Sequence, residues 1–142
     1  MAIFFVFFQI LVLNTPFGKM SEHNLASGFN LEINIIKIRN DAGQIAIQVL
    51  DEQKKVVKQE FVTIANKRSV LMVKGLPKGK YAVQIFHDEN KNEKMDFNFL
   101  GIPKEGYGFS NDARGFMSAP AFEKQLINLD QDRAIQIRLS YF

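Results

Sequence analysis

The sequence predicts an antiparallel all-β sandwich of about seven strands with one long packed loop. Three observations carry the prediction. Apolar residues recur with a period of two after Phe29, Pro and Gly fall between the periodic runs, and no stretch shows the spacing of an amphipathic helix. A chain of 142 residues with 46% hydrophobic and 23% charged residues fits one globular domain, expected over residues 30–142.

The elements follow in order. Ile3 to Leu13 is an apolar run of about 11 residues. As a helix it would reach only ~17 Å, too short for a ~30 Å hydrocarbon core. Its length fits the h-region of a signal peptide, with Asn14, Thr15, Pro16 and Gly18 breaking the helix before cleavage. Residues 1–26 are therefore expected to be a signal peptide or apolar leader. No Lys or Arg precedes the run and no small-x-small site follows it, and the alternative is a buried N-terminal strand. Export implies a periplasmic or secreted protein with no stable membrane span after processing.

Leu31, Ile33 and Ile35 share one strand face, which Ile36 and Ile38 then take over, so a β-bulge is expected near Ile35. Asn40 to Gly43 is a turn signal, Ile45, Ile47 and Val49 continue as an inner face, and the first two strands read as a hairpin. Val56 to Ala65 and Arg68 to Lys74 are two further strands joined at Asn66 and Lys67. Gly75 to Lys80 reverses the chain into a strand whose Tyr81, Val83 and Ile85 face inward, the Tyr81 hydroxyl reaching nearby backbone. Ile135, Ile137, Leu139 and Tyr141 alternate with Gln136, Arg138 and Ser140, a closing strand with one wet face.

Asp88 to Ala121 has no sustained period. Irregular connections beyond about 12 to 15 residues are uncommon in compact domains and usually functional. Phe97, Phe99, Leu100, Ile102, Tyr107, Phe109 and Phe116 load it with apolar surface, so it is expected to pack on the sandwich.

The runs GLPKGKYAVQIFHDENKN from Gly75 and NFLGIPKEGYGFSNDARG from Asn98 resemble a bacterial family of unknown function, family 2141, over about Asn30 to Tyr141. The resemblance implies an exported β-sandwich with no assigned reaction. The element Leu76 to Tyr81 more loosely resembles transthyretin-like and carboxypeptidase regulatory-like domains, implying an immunoglobulin-like or transthyretin-like sandwich and an accessory or binding role.

Composition excludes several classes of chemistry. Without cysteine there is no disulfide, thiolate metal site or thiol nucleophile. A net charge of +3, despite a pI near 9.2, gathers no basic face with stacking aromatics, so no nucleic-acid partner is expected.

Asp88, Asn90, Asn92, Lys94 and Asp96 occupy positions 1, 3, 5, 7 and 9 of a calcium-loop pattern, alternating oxygen donors as that hard cation requires. Glu93 stands where such loops place Gly, and Phe99 where they place a bidentate Glu, so only weak, structural calcium binding is expected. Glu105 is a more distant sixth ligand. The resemblance implies Gly-x-Gly at the positions of Lys91 and Glu93, whose geometry these side chains are expected to lose. Tyr107, Phe109, Asn111 and Arg114 interleave aromatic and polar groups among glycines. They form either a recognition surface for an envelope protein, peptide or glycan, or an internal clasp over the open end of the sandwich. His87 reads as a hydrogen-bonded structural histidine; His23 lies in the leader. No spaced set of nucleophile, base and orienter stands out, so the protein is expected to be a non-enzymatic binding or structural module. The alternative is a hydrolase using Ser110 as nucleophile, His87 as base and Asp112 as orienter.

Overall fold

The structure, a computed structural model, describes residues 28–116 and 118–142. The expected leader over residues 1–26, with His23, lies outside the described residues. Eight strands run β1 Phe29–Ile36, β2 Gln44–Asp51, β3 Val56–Val62, β4 Ser69–Leu76, β5 Gly79–Asp88, β6 Tyr107–Phe109, β7 Ile127–Leu129 and β8 Arg133–Arg138. A 3₁₀ turn at Ser110–Asp112 and a one-turn helix, α1, at Phe122–Gln125 complete the elements among the described residues.

Two sheets form the expected all-β sandwich. One is three-stranded in the order β4-β1-β8; the other runs β3-β2-β5-β6, with β7 also paired to β5. All pairings between strands are antiparallel except β1 with β8. Period-two patterning decides which side chains meet between the sheets: Leu31, Ile33 and Ile35 of β1 face Ile45, Ile47 and Val49 of β2 and Val83 and Ile85 of β5 across one core. Each such side chain contributes about 1.5–3 kcal/mol on burial. The Tyr81 hydroxyl donates to the Pro77 carbonyl at 2.7 Å, as expected, so a buried ring keeps its polar tip satisfied.

Two expectations about connections are corrected. β1 and β2 are not a hairpin, because they lie in opposite sheets. Lys37 takes φ 59° and Gly43 φ 75°, turning the chain out of one layer and into the other, while Ile38 plugs the corner at 2% exposure. A Cβ on Gly43 would lie 2.0 Å from the Asp88 carbonyl oxygen, so this corner also requires glycine. The phase slip expected as a bulge near Ile35 is this left-handed Lys37 just past the strand end; the register shift of β1 lies instead between Phe29 and Leu31. The hairpin is β2–β3, where the Asp51 carboxylate accepts from the Gln53 and Lys55 amides. Asn66 and Lys67, at φ 52° and 57°, make the tight turn between β3 and β4, which then part into separate sheets.

Strand β5 is buried from Tyr81 to Asp88 on both faces. A two-layer sandwich would leave Ala82, Gln84 and Phe86 on a wet face. The segment after β6 folds over them, and Gln84 donates through Nε2 to Gln125 Oε1 at 2.9 Å. Register places the end of β1 and β5, the start of β2 and β4, and the connections 37–43, 63–68 and 89–106 at one end of the sandwich.

Candidate functional site

His87 closes that end. It continues the inward phase of Val83 and Ile85 and is fully buried. Nε2 lies 2.6 Å from the Ala42 carbonyl oxygen and Nδ1 lies 2.9 Å from the Tyr141 hydroxyl. Burial raises the Tyr141 hydroxyl above its ordinary value. Above it, Arg39 lies 4.7 Å over the Tyr141 ring and pairs with Glu89 at 2.6 Å. Burial alone would raise the Glu89 carboxyl, but the hydrogen bond and charge of Arg39 outweigh it and hold the group below the usual carboxylate range.

The loop after β5 is tied by its own side chains. The buried Asp88 carboxylate accepts from the Asn92 amide N–H (3.0 Å), the Glu93 amide N–H (3.0 Å) and Gln44 Nε2 (2.8 Å). Asn90 and Asn92 donate through Nδ2 to the two Asp96 oxygens at 2.6 and 3.0 Å, and Asn92 Oδ1 accepts from Lys94 N–H. Four of the residues read as calcium ligands thus bring their side chains together, and Lys94 lies in the same turn. Glu105, read as a sixth ligand, sits below them at 4% exposure and accepts from the Glu89 and Asp96 amides at 2.9 and 3.1 Å. Burial raises its carboxyl, and these two N–H groups offset only part of that. Among the described residues, no three His, Asp or Glu side chains converge as a metal-binding group.

The segment read as a recognition surface makes the contacts of the clasp. Phe109 is buried at 8% exposure, and Tyr107 is half-buried between Phe109 and Phe142, with ring centroids 6.0 and 5.9 Å away. Asn111, left-handed at φ 62°, donates through Nδ2 to the Lys124 and Leu126 carbonyls at 3.1 and 3.0 Å. Arg114 bonds the Ser140 hydroxyl, and Asp112 pairs with Arg138.

The expectation that the long segment packs on the sandwich holds at Tyr107 and Phe109 and is corrected at Phe99, Leu100 and Phe116. Phe99 is 95% exposed, Leu100 66% and Phe116 91%. Phe99 and Leu100 stand at the tip of a small hairpin whose base is a Phe97–Pro103 bridge. Asn98 locks the tip: its amide donates to the Ile102 carbonyl, its carbonyl accepts from Gly101, and its Oδ1 accepts from the Leu100 and Ile102 amides at 2.9 and 3.0 Å. Gly101 takes φ 76° to close this turn. The exposed side chains are therefore held out by a bonded frame. The apolar load alone pointed to packing on the sandwich; the signal for a displayed tip is Asn98 three residues before Gly101, an Asx-type turn.

A family model described as an uncharacterised protein conserved in bacteria, DUF2141, matches residues 33–137. The chain belongs to the DUF2141 family. No curated protein and no solved structure matches the chain. The DUF2141 match runs from β1 into β8 and so takes in the clasp and the hairpin tip. Where the resemblance implied Gly-x-Gly, Lys91 and Glu93 keep φ values of 58° and 63°. The left-handed geometry expected to be lost is retained, with the backbone of Asn92 and Glu93 bonded to Asp88 in compensation.

The hydrolase residues of this DUF2141 chain are not brought together. Ser110 is fully buried, donates to the Gln125 carbonyl and accepts from the Val83 amide at 2.9 Å. Val83 and His87 lie four positions apart on β5, about 13 Å at the rise of a strand. Asp112 is turned to Arg138.

Proposed function

We propose that this protein is a small exported, non-enzymatic binding or structural module of the bacterial envelope, and that it makes contact through the Phe99–Leu100 tip. The single observation that carries this reading is the locked display of those two side chains beside a clasp in which Phe109 is buried, Tyr107 half-buried, and the exposed Asn111 and Arg114 are bonded to the chain itself. Large apolar groups held rigidly in water have a cost that contact with a partner removes. In this reading the clasp fixes the base from which the tip projects. The partner is an envelope component: a protein, peptide, glycan or lipid.

The test is fractionation of producing cells. The processed chain is expected with the envelope, and Phe99→Ser with Leu100→Ser should release it to the soluble exported fraction without changing its melting temperature. Uncleaved chain in the cytoplasm would overturn export, and an unchanged envelope share in the double variant would overturn the role of the tip.

A second reading is favoured by the meeting of Asp88, Asn90, Asn92 and Asp96 in one turn. These residues, with the Lys94 carbonyl, bind calcium weakly and for structure alone. Such affinity, near 10⁻⁴ to 10⁻³ M at roughly two ligand charges, has an effect only where calcium is abundant, as outside the cell.

A further inference from the structure

We infer that the partner of the Phe99–Leu100 tip is an anionic lipid surface, into which the hairpin 97–103 inserts while the basic rim of the same sandwich end rests on the headgroups. The inference rests on the reading of the tip as a contact site and names what it contacts. Three observations support it.

The first is shape. Phe99, Leu100 and Ile102, at 95%, 66% and 37% exposure, cap a convex hairpin rather than line a groove. A stable protein interface needs roughly 800 Å² from each partner, and a tip of three side chains does not supply it. A bilayer interface needs no complementary cleft, only apolar groups reaching about 5–10 Å below the headgroups.

The second is charge. The strand register puts the connections 37–43, 63–68 and 89–106 at the same end as the tip. Their exposed side chains include Lys37, Lys67, Arg68, Lys91, Lys94 and Lys104, against exposed carboxylates only at Asp41 and Glu93. Among the described residues, none of these six cations is held in an ion pair. The other carboxylates of these connections and of the end of β5 are withdrawn: Glu89 is paired with Arg39, Asp88 and Glu105 are buried under backbone N–H groups, and Asp96 is bonded by Asn90 and Asn92.

The third is rigidity. The Asn98 bonds fix the tip before it meets a partner, so insertion orders little additional chain. One short apolar wedge binds membranes weakly, and a polybasic surface is the second signal that makes such binding effective.

The chain has no tryptophan, so Phe99→Trp places a single reporter at the tip. Substitution at so exposed a site should leave the thermal melt unchanged. In the full chain, vesicles of phosphatidylcholine with phosphatidylglycerol should shift the emission of the introduced indole to the blue, and brominated lipid should quench it. Pure phosphatidylcholine should give a much smaller response. Reversing Lys91, Lys94 and Lys104 to Glu should weaken binding about a hundredfold or more, as for the loss of roughly 1 kcal/mol per cation near the surface. An unshifted indole emission on anionic vesicles overturns the inference, as does an equal shift on neutral ones. If the emission stays unshifted while the Phe99→Ser, Leu100→Ser chain still leaves the envelope fraction, the tip contacts something other than lipid. If that variant keeps its envelope share, the contact-site reading fails as well.

Discussion

The Tyr141 hydroxyl is hydrogen-bonded to Nδ1 of buried His87 across 2.9 Å. The Ala42 carbonyl oxygen, 2.6 Å from Nε2, only accepts, so Nε2 carries a proton. The same hydroxyl oxygen accepts from the Arg39 amide at 3.2 Å. One phenol thus joins the end of the chain, the β1–β2 corner and the last turn of β5, just below the loop that carries the tip.

Tyr141→Phe takes the hydroxyl from both the fully buried His87 Nδ1 and the Arg39 amide. The expected loss is about 1–3 kcal/mol, read as a lower urea midpoint with an unchanged slope. A midpoint equal to that of the unmodified protein would show that the bond does not hold this end together.

Ser110→Ala leaves the Val83 amide buried and unsatisfied and costs a similar amount, about 1–3 kcal/mol by denaturation. No ester, peptide or glycan turnover should depend on the residue. Protein-dependent turnover that vanishes in Ser110→Ala or His87→Ala would replace the binding module with a hydrolase.

Glu89 and Glu105 set opposite trends with pH. Burial raises the Glu105 carboxyl, so between the unfolded and folded values only the folded chain holds the proton, and stability falls as pH rises through that window. Glu89 is lowered because Arg39 outweighs its burial, so its contribution is present above the unfolded value and disappears as pH falls through the folded one. Glu105→Gln should therefore steepen the loss of stability toward acid, measured by urea midpoints from about pH 3 to 7. Parallel profiles for the two proteins would contradict the assignment of Glu105.

Calcium in the millimolar range should raise the melting temperature relative to chelator, and Asp88→Ala or Asp96→Ala should abolish the difference. At ~100 times the dissociation constant the gain is about 2.7 kcal/mol if only the folded chain binds. Overlapping melts and no heat of binding by calorimetry would leave the loop as a polar turn bonded to its own backbone.

Much of this protein is determined locally. Period-two patterning determined which faces of β1, β2, β5 and β8 meet in the core between the sheets, because alternate Cβ atoms point to opposite sides of a strand whatever its neighbour. The turns at Asn40–Gly43, Asn66–Lys67 and Gly75–Lys80 were legible for the same reason: left-handed residues and Pro act within a few bonds. Turn chemistry does not say whether the next strand pairs or crosses to the facing sheet. The β1–β2 hairpin was misread on that account, and the parallel contact of β1 with β8 brings together residues about a hundred positions apart. The apolar load of residues 97–116 was equally plain in the sequence, but composition gives no direction. Only tertiary structure decided that Phe109 turns into the clasp against β5 while Phe99 and Leu100 stand in water, because that depends on whether a receiving surface lies within reach of the hairpin Asn98 closes.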